Sequence, residues 1–361
     1  MELLFDNKET KEQILSRAKK IAPITINSGI SYLFNGDNFE IMAAILNKRK
    51  GFIDLIYIDP PFNTNQIFSI SENRANTISR KKSNTIAYSD LMTNDEFLKF
   101  IYERVVLMYE LLSDEGSLYV HIDTKMGHYF KIILDEIFGI KNFKNDITRI
   151  KSNPKNFDRK AYGNEKDMIL FYSKNPQKNI WNEIKISLEE SEIATKFTKI
   201  DADGRRYTTI PLHAPGETTN GITGMVWRGM LPPSGRHWRT SPEEFDRMDE
   251  CGLIEWSKTG NPRIKKYADE HNGKKIQDVW IYKDPQNPQY PTQKNLDMLE
   301  LIVKQSSREG SMILDCFAGS GTTLLAAAKL GRTFIGIDSS EIAIKIIKSR
   351  LTEKGIIYNN E

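Results

Sequence analysis

The chain has 361 residues, of which 39% are hydrophobic and 27% are charged, and its net charge at pH 7 is +3. This length suffices for one large α/β domain or for a core domain that carries a substantial insertion. Its apolar runs fall short of the about 20 residues that a membrane helix needs, and charges interrupt the N-terminal stretch where a secretion signal would lie. Its two cysteines, Cys251 and Cys316, form no CxxC pair, which excludes a disulfide framework and a structural zinc site. We therefore expect a soluble cytoplasmic protein with neither a membrane partner nor a metal ion.

The first third of the chain predicts alternating strands and helices. The stretch "SYLFNGDNFEIMAAIL" is typical of a short strand, a turn and a helix, and "FIDLIYIDPPF" is typical of a fully apolar strand in a parallel sheet. A capping box formed by Thr93 and Glu96 then begins a helix whose apolar residues recur at helical spacing. The stretch "GSLYVHID" predicts the strand that follows.

Near the end of the chain, "SMILDCFAGSGTTLLAAAKLGRTFIGIDSS" predicts a strand, a glycine turn, a helix that ends at Gly331 and a second strand. Strands that alternate with helices in this way form parallel sheets that are covered on both faces. The sequence therefore predicts an α/β fold with a doubly wound, mostly parallel sheet.

The middle of the chain loses this alternation. It is rich in Pro, Gly and Arg, it contains all five tryptophans, and its basic side chains outnumber its acidic ones. We predict three segments: residues 1–150 form the first half of a core, residues 151–285 form an insert, and residues 286–361 form the second half of the core. A polar connection over residues 66–88 is long enough to be either functional or disordered.

The glycine turn in "DCFAGSG" follows a predicted strand and precedes a predicted helix. Gly319 and Gly321 would let the backbone approach a ligand closely, and the helix N-terminus offers unpaired N–H groups. Asp338 ends the next strand, close to the position, about 20 residues further on, where a carboxylate binds ribose in nucleotide-binding βαβ units. This pattern predicts a nucleoside ligand, but it has neither the GxGxxG fingerprint of NAD sites nor a P-loop. A tight turn without a ligand is the alternative.

A second motif follows the apolar strand, where the chain reads Asp-Pro-Pro-Phe. Asp59 and the carbonyl of Pro60 offer two acceptors on a backbone that two prolines stiffen, and Phe62 offers a flat apolar face. This combination suits a planar base with an exocyclic NH₂ group, since each hydrogen meets an acceptor and the ring stacks on Phe62. Holding both hydrogens can aim the nitrogen lone pair at an electrophile. The alternative is a strand that simply ends in a proline turn.

Together the two motifs resemble those of the amino-group DNA methyltransferases, which transfer a methyl group from S-adenosylmethionine. In that family a DPPY or DPPF tip is the catalytic motif, and FxGxG, matched here by Phe317, Gly319 and Gly321, is the cofactor motif. The catalytic motif comes first in this chain, as it does in the family's circularly permuted β class. The resemblance implies the class I, Rossmann-like methyltransferase fold, with the insert as the target-recognition domain.

Further segments extend the resemblance over nearly the whole chain. "NGDNFEIM" and "YPTQKNLDM" match family segments, although Asn295 replaces the proline that usually ends the PTQKP motif, and "PPSGRHW" is similar to adenine methyltransferases of type III restriction systems and their stand-alone relatives. The resemblance implies that the catalytic residues are Asp59, Pro60, Pro61 and Phe62. It implies that the cofactor lies against Asp37, Asp315, Cys316, Phe317, Gly319, Gly321, Asp338, Thr292, Gln293 and Lys294.

Contact with DNA needs cationic and aromatic side chains. A base inside a duplex cannot reach Asp59, so the target must rotate out of the stack, and contacts to the DNA backbone must offset that cost. The segment "WRGMLPPSGRHWRTS" and the polar connection supply candidates. They are Arg228, Arg236, His237, Trp238 and Arg239 in the insert and Arg80, Lys81 and Lys82 in the connection. The alternatives are that the tryptophans fill a small core of the insert and that the connection is a solvated loop.

The reaction implied by the resemblance is methylation of the N6 amine of adenine in duplex DNA, in a restriction–modification or an orphan epigenetic system. Methylation of cytosine at N4 uses the same geometry, although such enzymes more often carry SPP where this chain has Asp59. Methylation at cytosine carbon-5 needs a cysteine after a proline, and neither cysteine follows one. An RNA methyltransferase and a non-catalytic DNA-binding subunit are further alternatives, but intact DPPF and FAGSG motifs favour a DNA-modifying enzyme.

The partner implied by this reading is double-stranded DNA, through which the protein would associate with the bacterial nucleoid. The resemblance leaves open a homodimer and a cognate restriction endonuclease as further partners. The chain is shorter than typical type III modification subunits.

These assignments predict a division of labour between the two motifs. Phe62→Ala is expected to lower turnover more than cofactor affinity, because the ring would contact the base. Gly319→Val is expected to abolish cofactor binding, because a branched side chain would fill the space that the ligand needs. Equilibrium binding of S-adenosylmethionine and single-turnover rates measure the two effects. An equal loss of cofactor affinity in both variants would contradict the division.

Overall fold

The computed structural model describes residues 2–61, 67–71, 74–76, 85–89, 93–153, 160–286, 288, 290 and 293–360. The chain forms two compact units, of which the first comprises Met1–Glu183 with Gln277–Glu361 and the second Ile184–Ile276. Within the described ranges, no helix combines the length and the apolar character that crossing a lipid bilayer requires.

The N-terminal part of the first unit contains four helices and eight strands in its described residues. The helices are α1 (Lys11–Ala18), α2 (Asn38–Lys48), α3 (Asn94–Leu111) and α4 (Gly127–Phe138). The strands are β1 (Tyr32–Asn35), β2 (Ile53–Ile58), β3 (Ile67–Ser71), β4 (Arg74–Asn76), β5 (Thr85–Ser89), β6 (Leu112–Ile122), β7 (Phe143–Ile150) and β8 (Lys166–Ser173).

The second unit and the return to the first contain the remaining elements. The second unit has β9 (Lys185–Ile186), α5 (Glu190–Lys196), β10 (Lys199–Ile200), β11 (Arg206–Pro211), β12 (His213–Pro215), β13 (Arg236–Trp238), α6 (Pro242–Glu250), β14 (Ile254–Trp256), β15 (Pro262–Tyr267) and β16 (Lys274–Lys275). The first unit resumes with β17 (Val279–Ile281), α7 (Leu296–Ser306), β18 (Met312–Asp315), α8 (Thr322–Lys329), β19 (Thr333–Asp338), α9 (Glu341–Glu353) and β20 (Asn359–Asn360).

One nine-stranded sheet organises the first unit, in the order β17-β7-β8-β6-β2-β18-β19-β1-β20. Strand β8 runs antiparallel to both of its neighbours, and the other pairings in this sheet are parallel. All apolar side chains of the central strand β2 are buried, as expected for a strand covered by helices on both faces. The predicted α/β fold with a doubly wound, mostly parallel sheet is confirmed.

The register of the central pair decides where the two sequence motifs lie. Strand β2 pairs in parallel with β18, with Leu55 opposite Ile313 and Ile56 opposite Leu314. The sheet continues from β18 through β19 to β1 on one side and from β2 to β6 on the other. Parallel strands end at the same edge, and a ligand crevice opens where strand order diverges in this way. Asp59 and Asp315 therefore come to the same edge of the sheet.

The cap of α3 follows the predicted sequence signal. The Thr93 side chain accepts a hydrogen bond from the backbone N–H of Glu96 at 3.3 Å, and the Glu96 carboxylate accepts one from the backbone N–H of Thr93 at 2.9 Å. This capping box satisfies two N–H groups that the first turn of a helix cannot pair internally. It fixes the start of the helix that lies between β2 and β6 in the chain.

The second unit, Ile184–Ile276, contains fewer residues than the insert that the sequence predicts over residues 151–285. Strand β8 lies between β6 and β7 in the main sheet, and β17 pairs with β7. Both flanks of the predicted insert therefore belong to the first unit. The apolar run of β8 is the physical reason, since Asp167–Ser173 is buried throughout and needs a sheet to cover it. A target-recognition role for the second unit stays a prediction.

The second unit has a small core of its own. A four-stranded sheet runs in the order β10-β11-β15-β14, and β12 and β13 form a separate pair. The buried side chains of this core are Leu212, Trp227, Trp238, Phe245, Ile254 and Ile264.

Two glycines with left-handed backbone allow a matched test of packing in the first unit. Gly321 precedes α8 with φ of +72°, and a Cβ there would lie 2.9 Å from Cγ1 of Ile347 on α9. Gly310 has a similar φ of +78°, but a Cβ there would meet no atom within 4 Å. We expect Gly310→Ala to cost about 1–2 kcal/mol from backbone strain, and Gly321→Ala to cost more because Ile347 must also move.

Urea unfolding followed by far-ultraviolet circular dichroism measures both variants. A smaller midpoint shift for Gly321→Ala than for Gly310→Ala would contradict the close packing of α8 on α9.

Candidate active site

A cavity of about 260 Å³ opens at the edge where β2, β18 and β19 end. Residues from both ends of the chain line it, because the parallel pairing of β2 with β18 joins the two parts. Its walls include Gly36, Asp37, Asn38, Tyr57, Asp59, Pro61 and Phe100 from the N-terminal part and Tyr290, Lys294, Asp315, Cys316, Phe317, Gly319, Asp338 and Ser340 from the C-terminal part.

Asp59 follows β2 and lies in this cavity with one oxygen paired. Its Oδ2 accepts a short hydrogen bond from Nζ of Lys294, which is 235 residues away in sequence. Both side chains are largely buried, at 15% exposure for Asp59 and 9% for Lys294. Oδ1 of Asp59 is also buried, and no described residue hydrogen-bonds to it. A buried carboxylate oxygen without a donor is unfavourable by itself and marks a position where an incoming N–H group would be stabilised.

The structure describes part of the remaining Asp-Pro-Pro-Phe tip. Pro60 is buried and Pro61 lines the cavity. Phe62 lies outside the described residues, and so does Thr292 in the later segment. Gln293 is described but is not among the lining residues, and its backbone N–H donates to the carbonyl of Tyr290 at 3.2 Å.

The two glycines of the turn, Gly319 and Gly321, have different roles. Gly319 lines the cavity with φ of +51°, and its backbone N–H donates to Oδ2 of Asp338 at 2.7 Å. The other oxygen of Asp338 accepts from the backbone N–H of Ser340 at 2.9 Å. Burial raises the pKa of the Asp338 carboxyl, which these two amides oppose. Gly321, by contrast, faces Ile347 and serves the packing of α8 on α9.

Asp315 and Cys316 form the floor of the cavity at the end of β18. Burial raises the pKa of the Asp315 carboxyl to about 7, against hydrogen bonds from Thr323 and from the backbone N–H of Phe317. Burial also raises the pKa of the Cys316 thiol. The carbonyl of Cys316 accepts a hydrogen bond from the Asn38 amide at 2.8 Å, which ties β18 to the start of α2.

Asp37 has both carboxylate oxygens engaged at the N-terminus of α2. Oδ1 accepts from the backbone N–H groups of Phe39 and Glu40 at 2.8 and 3.1 Å, and Oδ2 accepts from Arg104 at 2.8 Å. The Arg104 guanidinium carbon lies 3.6 Å from the ring centre of Phe100, which is another cavity wall. Arg104 was not predicted, and its only signal is a cation within a mostly apolar helix.

A buried polar chain behind the cavity was also missed by sequence reasoning. The Tyr57 hydroxyl lies 2.8 Å from Nδ1 of His121, and Nε2 of His121 lies 3.2 Å from Oδ2 of Asp167. Burial lowers the pKa of the His121 imidazole. Although burial opposes ionisation of Asp167, hydrogen bonds from His121 and Lys151 hold the pKa of that carboxyl below its usual range.

These charge states determine which atom carries the proton in each hydrogen bond between Tyr57, His121 and Asp167. An ionised Asp167 can only accept, so Nε2 of His121 donates to it. A neutral imidazole then accepts at Nδ1, and the Tyr57 hydroxyl donates there. The sequence feature that could have predicted these hydrogen bonds is the histidine inside the apolar strand "SLYVHI", where a polar side chain needs a buried partner.

The residues of the second unit that are predicted to contact DNA differ in how deeply they are buried. Trp238 is 4% exposed and its ring packs edge-on against Phe245, which places it in the core of the second unit, and its predicted DNA contact stays a prediction. The ring is needed for the small core, which is the alternative stated for the tryptophans. Arg228 donates to the carboxylates of Asp246 and Asp249, so its charge is already paired.

Arg236 and Arg239 are exposed, and His237 between them is half-buried. His237 donates from Nδ1 to the carbonyl of Gly216 at 2.8 Å, and Arg239 donates to the carbonyl of Pro211 at 3.0 Å. Arg236 lies in β13 and Arg239 directly follows it, and both remain exposed although the neighbouring Trp238 is buried. The predicted contacts at Arg80, Lys81 and Lys82 lie outside the described residues.

The raised pKa of Asp315 predicts a pH dependence of stability. Because the folded-state pKa of about 7 exceeds the value of about 3.9 for an unfolded aspartate, protonation of Asp315 favours the folded state. This contribution is complete below about pH 4 and is lost as pH rises through 7, with a slope of at most about 1.4 kcal/mol per pH unit.

Asp315→Asn removes this titration, so the melting temperature of the wild type is expected to fall relative to that of the variant between pH 5 and pH 8. Thermal unfolding in a series of buffers measures the difference. Parallel curves for the two proteins would contradict the shifted titration of Asp315.

Comparison with known proteins places the chain in a family. The profile of a family described as DNA methylase, with N6 and N4 methyltransferases in its name, matches residues 53–349. The chain is 39% identical to the type II methyltransferase M.EcaI of Enterobacter cloacae, over 89% of this chain and 69% of that protein. It is 23% identical to the type II methyltransferase M.KpnI of Klebsiella pneumoniae, over 88% of this chain and 80% of that protein.

More distant matches include longer proteins and solved structures. The StyLTI Mod subunit of a type III restriction–modification enzyme from Salmonella typhimurium is 24% identical, and this chain spans 51% of its length. The crystal structure of the M1.HpyAVI–SAM complex is 19% identical and superposes with a TM-score of 0.47, covering 89% of this chain and 99% of that chain. The family uses S-adenosylmethionine as its methyl donor. From the extent of the profile match and the identity to M.EcaI, the chain belongs to the N6/N4 DNA methylase family and is a DNA methyltransferase.

Proposed function

We propose that this protein methylates the N6 amine of adenine in duplex DNA, with S-adenosylmethionine bound in the cavity between the ends of β2, β18 and β19. One observation carries the proposal. Asp59, with a buried oxygen that has no donor among the described residues, opens into the same cavity as Gly319 and Asp338. A carboxylate acceptor and a nucleoside-type turn, which are far apart in sequence, thus face one space.

The residues that line the cavity fit this cofactor. Asp37, Asp59, Asp315 and Asp338 line it together with Lys294, so carboxyl groups predominate, which suits a cationic sulfonium. Phe100 and Phe317 pack edge to face at 6.0 Å and provide an apolar wall for a purine. We assign the ribose to Asp338, since among the described residues each of its oxygens accepts one backbone N–H and retains acceptor capacity.

When bound, the cofactor supplies a methyl carbon attached to a positively charged leaving group. The protein then has to orient the amine. Oδ1 of Asp59 accepts one amine hydrogen, and the carbonyl of Pro60 is assigned to the second. With both hydrogens held, the nitrogen lone pair points away from the ring plane, which is a positioning and electrostatic contribution. Phe62 is assigned to stack on the base, as the sequence predicts.

Adenine is favoured over cytosine by the residue at the tip. An aspartate at position 59 is the form typical of N6-adenine enzymes, whereas N4-cytosine enzymes more often have serine there. The carboxylate is a stronger acceptor than a hydroxyl, and it carries the charge that pairs with Lys294. Methylation of cytosine at N4 is the second candidate, because the same cavity could hold its exocyclic amine.

Two exposed arginines at β13 are the proposed DNA-backbone contacts in the second unit. Arg236 lies in β13 and Arg239 directly follows it, and neither forms an ion pair with a described carboxylate, whereas Arg228 pairs with Asp246 and Asp249. Guanidinium groups bind phosphate through several N–H donors at once. The loop cations Arg80, Lys81 and Lys82 remain a sequence prediction.

The relative named as the Mod subunit of a type III restriction–modification enzyme supports a role in such a system. A cognate endonuclease and a homodimer belong to this proposal as partners. The proposal concerns the methyltransferase portion, since this chain spans about half of the Mod subunit.

Asp59→Ala tests the proposal. Removal of the acceptor is expected to lower methyl transfer on the order of 100-fold or more, whereas binding of S-adenosylmethionine should be largely retained. Tritium incorporation into plasmid DNA measures transfer, and single-molecule sequencing of DNA from expressing cells identifies the modified base. The wild type should label adenine.

Three outcomes would overturn parts of the proposal. Label at N4 of cytosine would establish the second candidate. DNA binding without any label from the wild type would indicate a non-catalytic subunit. Undiminished transfer by Asp59→Ala would remove the aspartate from the reaction.

A further inference from the structure

Lys294 is the residue that contacts the reactive carboxylate from the other end of the chain. Its ammonium group pairs with Oδ2 of Asp59 in the cavity, and both side chains are largely buried. An ammonium and a carboxylate in such a position have lost most of their hydration, and the ion pair compensates part of that loss. The pair therefore fixes the direction of the Asp59 carboxylate before any substrate arrives.

The backbone next to Lys294 is anchored firmly. Asn295 begins α7, with Oδ1 accepting from the backbone N–H of Met298 at 3.2 Å and Nδ2 donating to the carbonyl of Lys283 at 3.1 Å. This is the position where the sequence departs from the family's proline. The asparagine caps the helix and ties it to the preceding segment, so the ammonium group is presented from a defined place.

Other ionisable groups around Asp59 make this cation important. Asp315 at the end of β18 is a second carboxyl whose charge opposes that of Asp59, and Tyr57 on β2 also interacts with it electrostatically. His121 on β6 lies behind them, between Tyr57 and Asp167. The ammonium of Lys294 hydrogen-bonds to Asp59 within this group.

We propose that Lys294 is a positioning residue that holds Asp59 by Oδ2, so that Oδ1 stays turned to the target amine. Asp59 then acts as a fixed acceptor. This inference rests on the proposed function, and it assigns to Lys294 a role on the carboxylate in addition to the predicted place near the cofactor.

The reaction balances without a proton on Asp59. The amine lone pair forms the new N–C bond, the C–S bond breaks, and its electron pair remains on sulfur, which becomes a neutral thioether. The methylated nitrogen carries the positive charge and releases one proton to water.

A double-mutant cycle tests the ion pair without any catalysis. Thermal unfolding is measured for Lys294→Gln, for Asp59→Asn and for the double variant. We expect Lys294→Gln to lower the melting temperature clearly in the wild-type background and much less when Asp59→Asn is present, because the second change removes the uncompensated charge. Lys329→Gln is the matched control, since Lys329 pairs with Glu300 at a well-exposed position and its effect should be additive with Asp59→Asn. Additive shifts for Lys294→Gln would overturn the proposal.

Single-turnover methylation at saturating S-adenosylmethionine tests the positioning role. For Lys294→Gln the rate should fall on the order of 10-fold or more, because Asp59 loses the contact that orients Oδ1. Lys294→Arg should keep most of the wild-type rate, since it retains a charged donor to Oδ2. Binding of S-adenosylmethionine is measured in parallel at pH 8 and should be largely unchanged in both variants.

The outcomes are distinguishable. A loss of cofactor affinity with an unchanged rate at saturating cofactor would make Lys294 a cofactor ligand and overturn the inference alone. An equal decrease of the rate in Lys294→Gln and Lys294→Arg would do the same. If the wild type transfers no label at all, the proposed function fails, while the unfolding cycle still decides whether Lys294 compensates Asp59.

Discussion

The parallel pairing of β2 with β18 is the constraint on which the site depends. Leu55 and Ile56 lie opposite Ile313 and Leu314, so a strand from the first part of the chain and one from the last end at the same edge. Side chains that follow the two strands must then share one space. Because β2 is apolar throughout its buried positions, it needs a central place in the sheet, and the pairing follows from that need.

Charge compensation links the two parts of the first unit around the cavity. Asp37 pairs with Arg104, Asp59 pairs with Lys294, and Asp338 accepts two backbone N–H groups. Each of these carboxylates would be costly to bury alone, and its partner lies on a different element or turn. The groups that give the cavity its negative character therefore also hold the surrounding elements in register.

The second unit depends on a different balance, between a small core and an exposed basic surface. Trp227 and Trp238 are buried with Phe245, while Arg236 in β13 and Arg239 directly after it remain exposed. A unit of this size has few apolar residues to bury, so it uses its large aromatic side chains for packing. An interleaved aromatic and basic sequence thus serves two purposes, because these tryptophans are buried and these two arginines are exposed.

Local sequence determined the fold class, the two motifs and the family. The apolar run of β2, the capping box of α3 and the glycine turn before α8 each depend on neighbouring residues, so their patterns are visible in the chain. The tertiary structure decided what distant residues do to one another. It paired Lys294 with Asp59, joined Tyr57 to Asp167 through His121, buried Trp238 and placed β8 in the main sheet. No local pattern encodes such contacts, because burial and charge pairing depend on which strands become neighbours after folding.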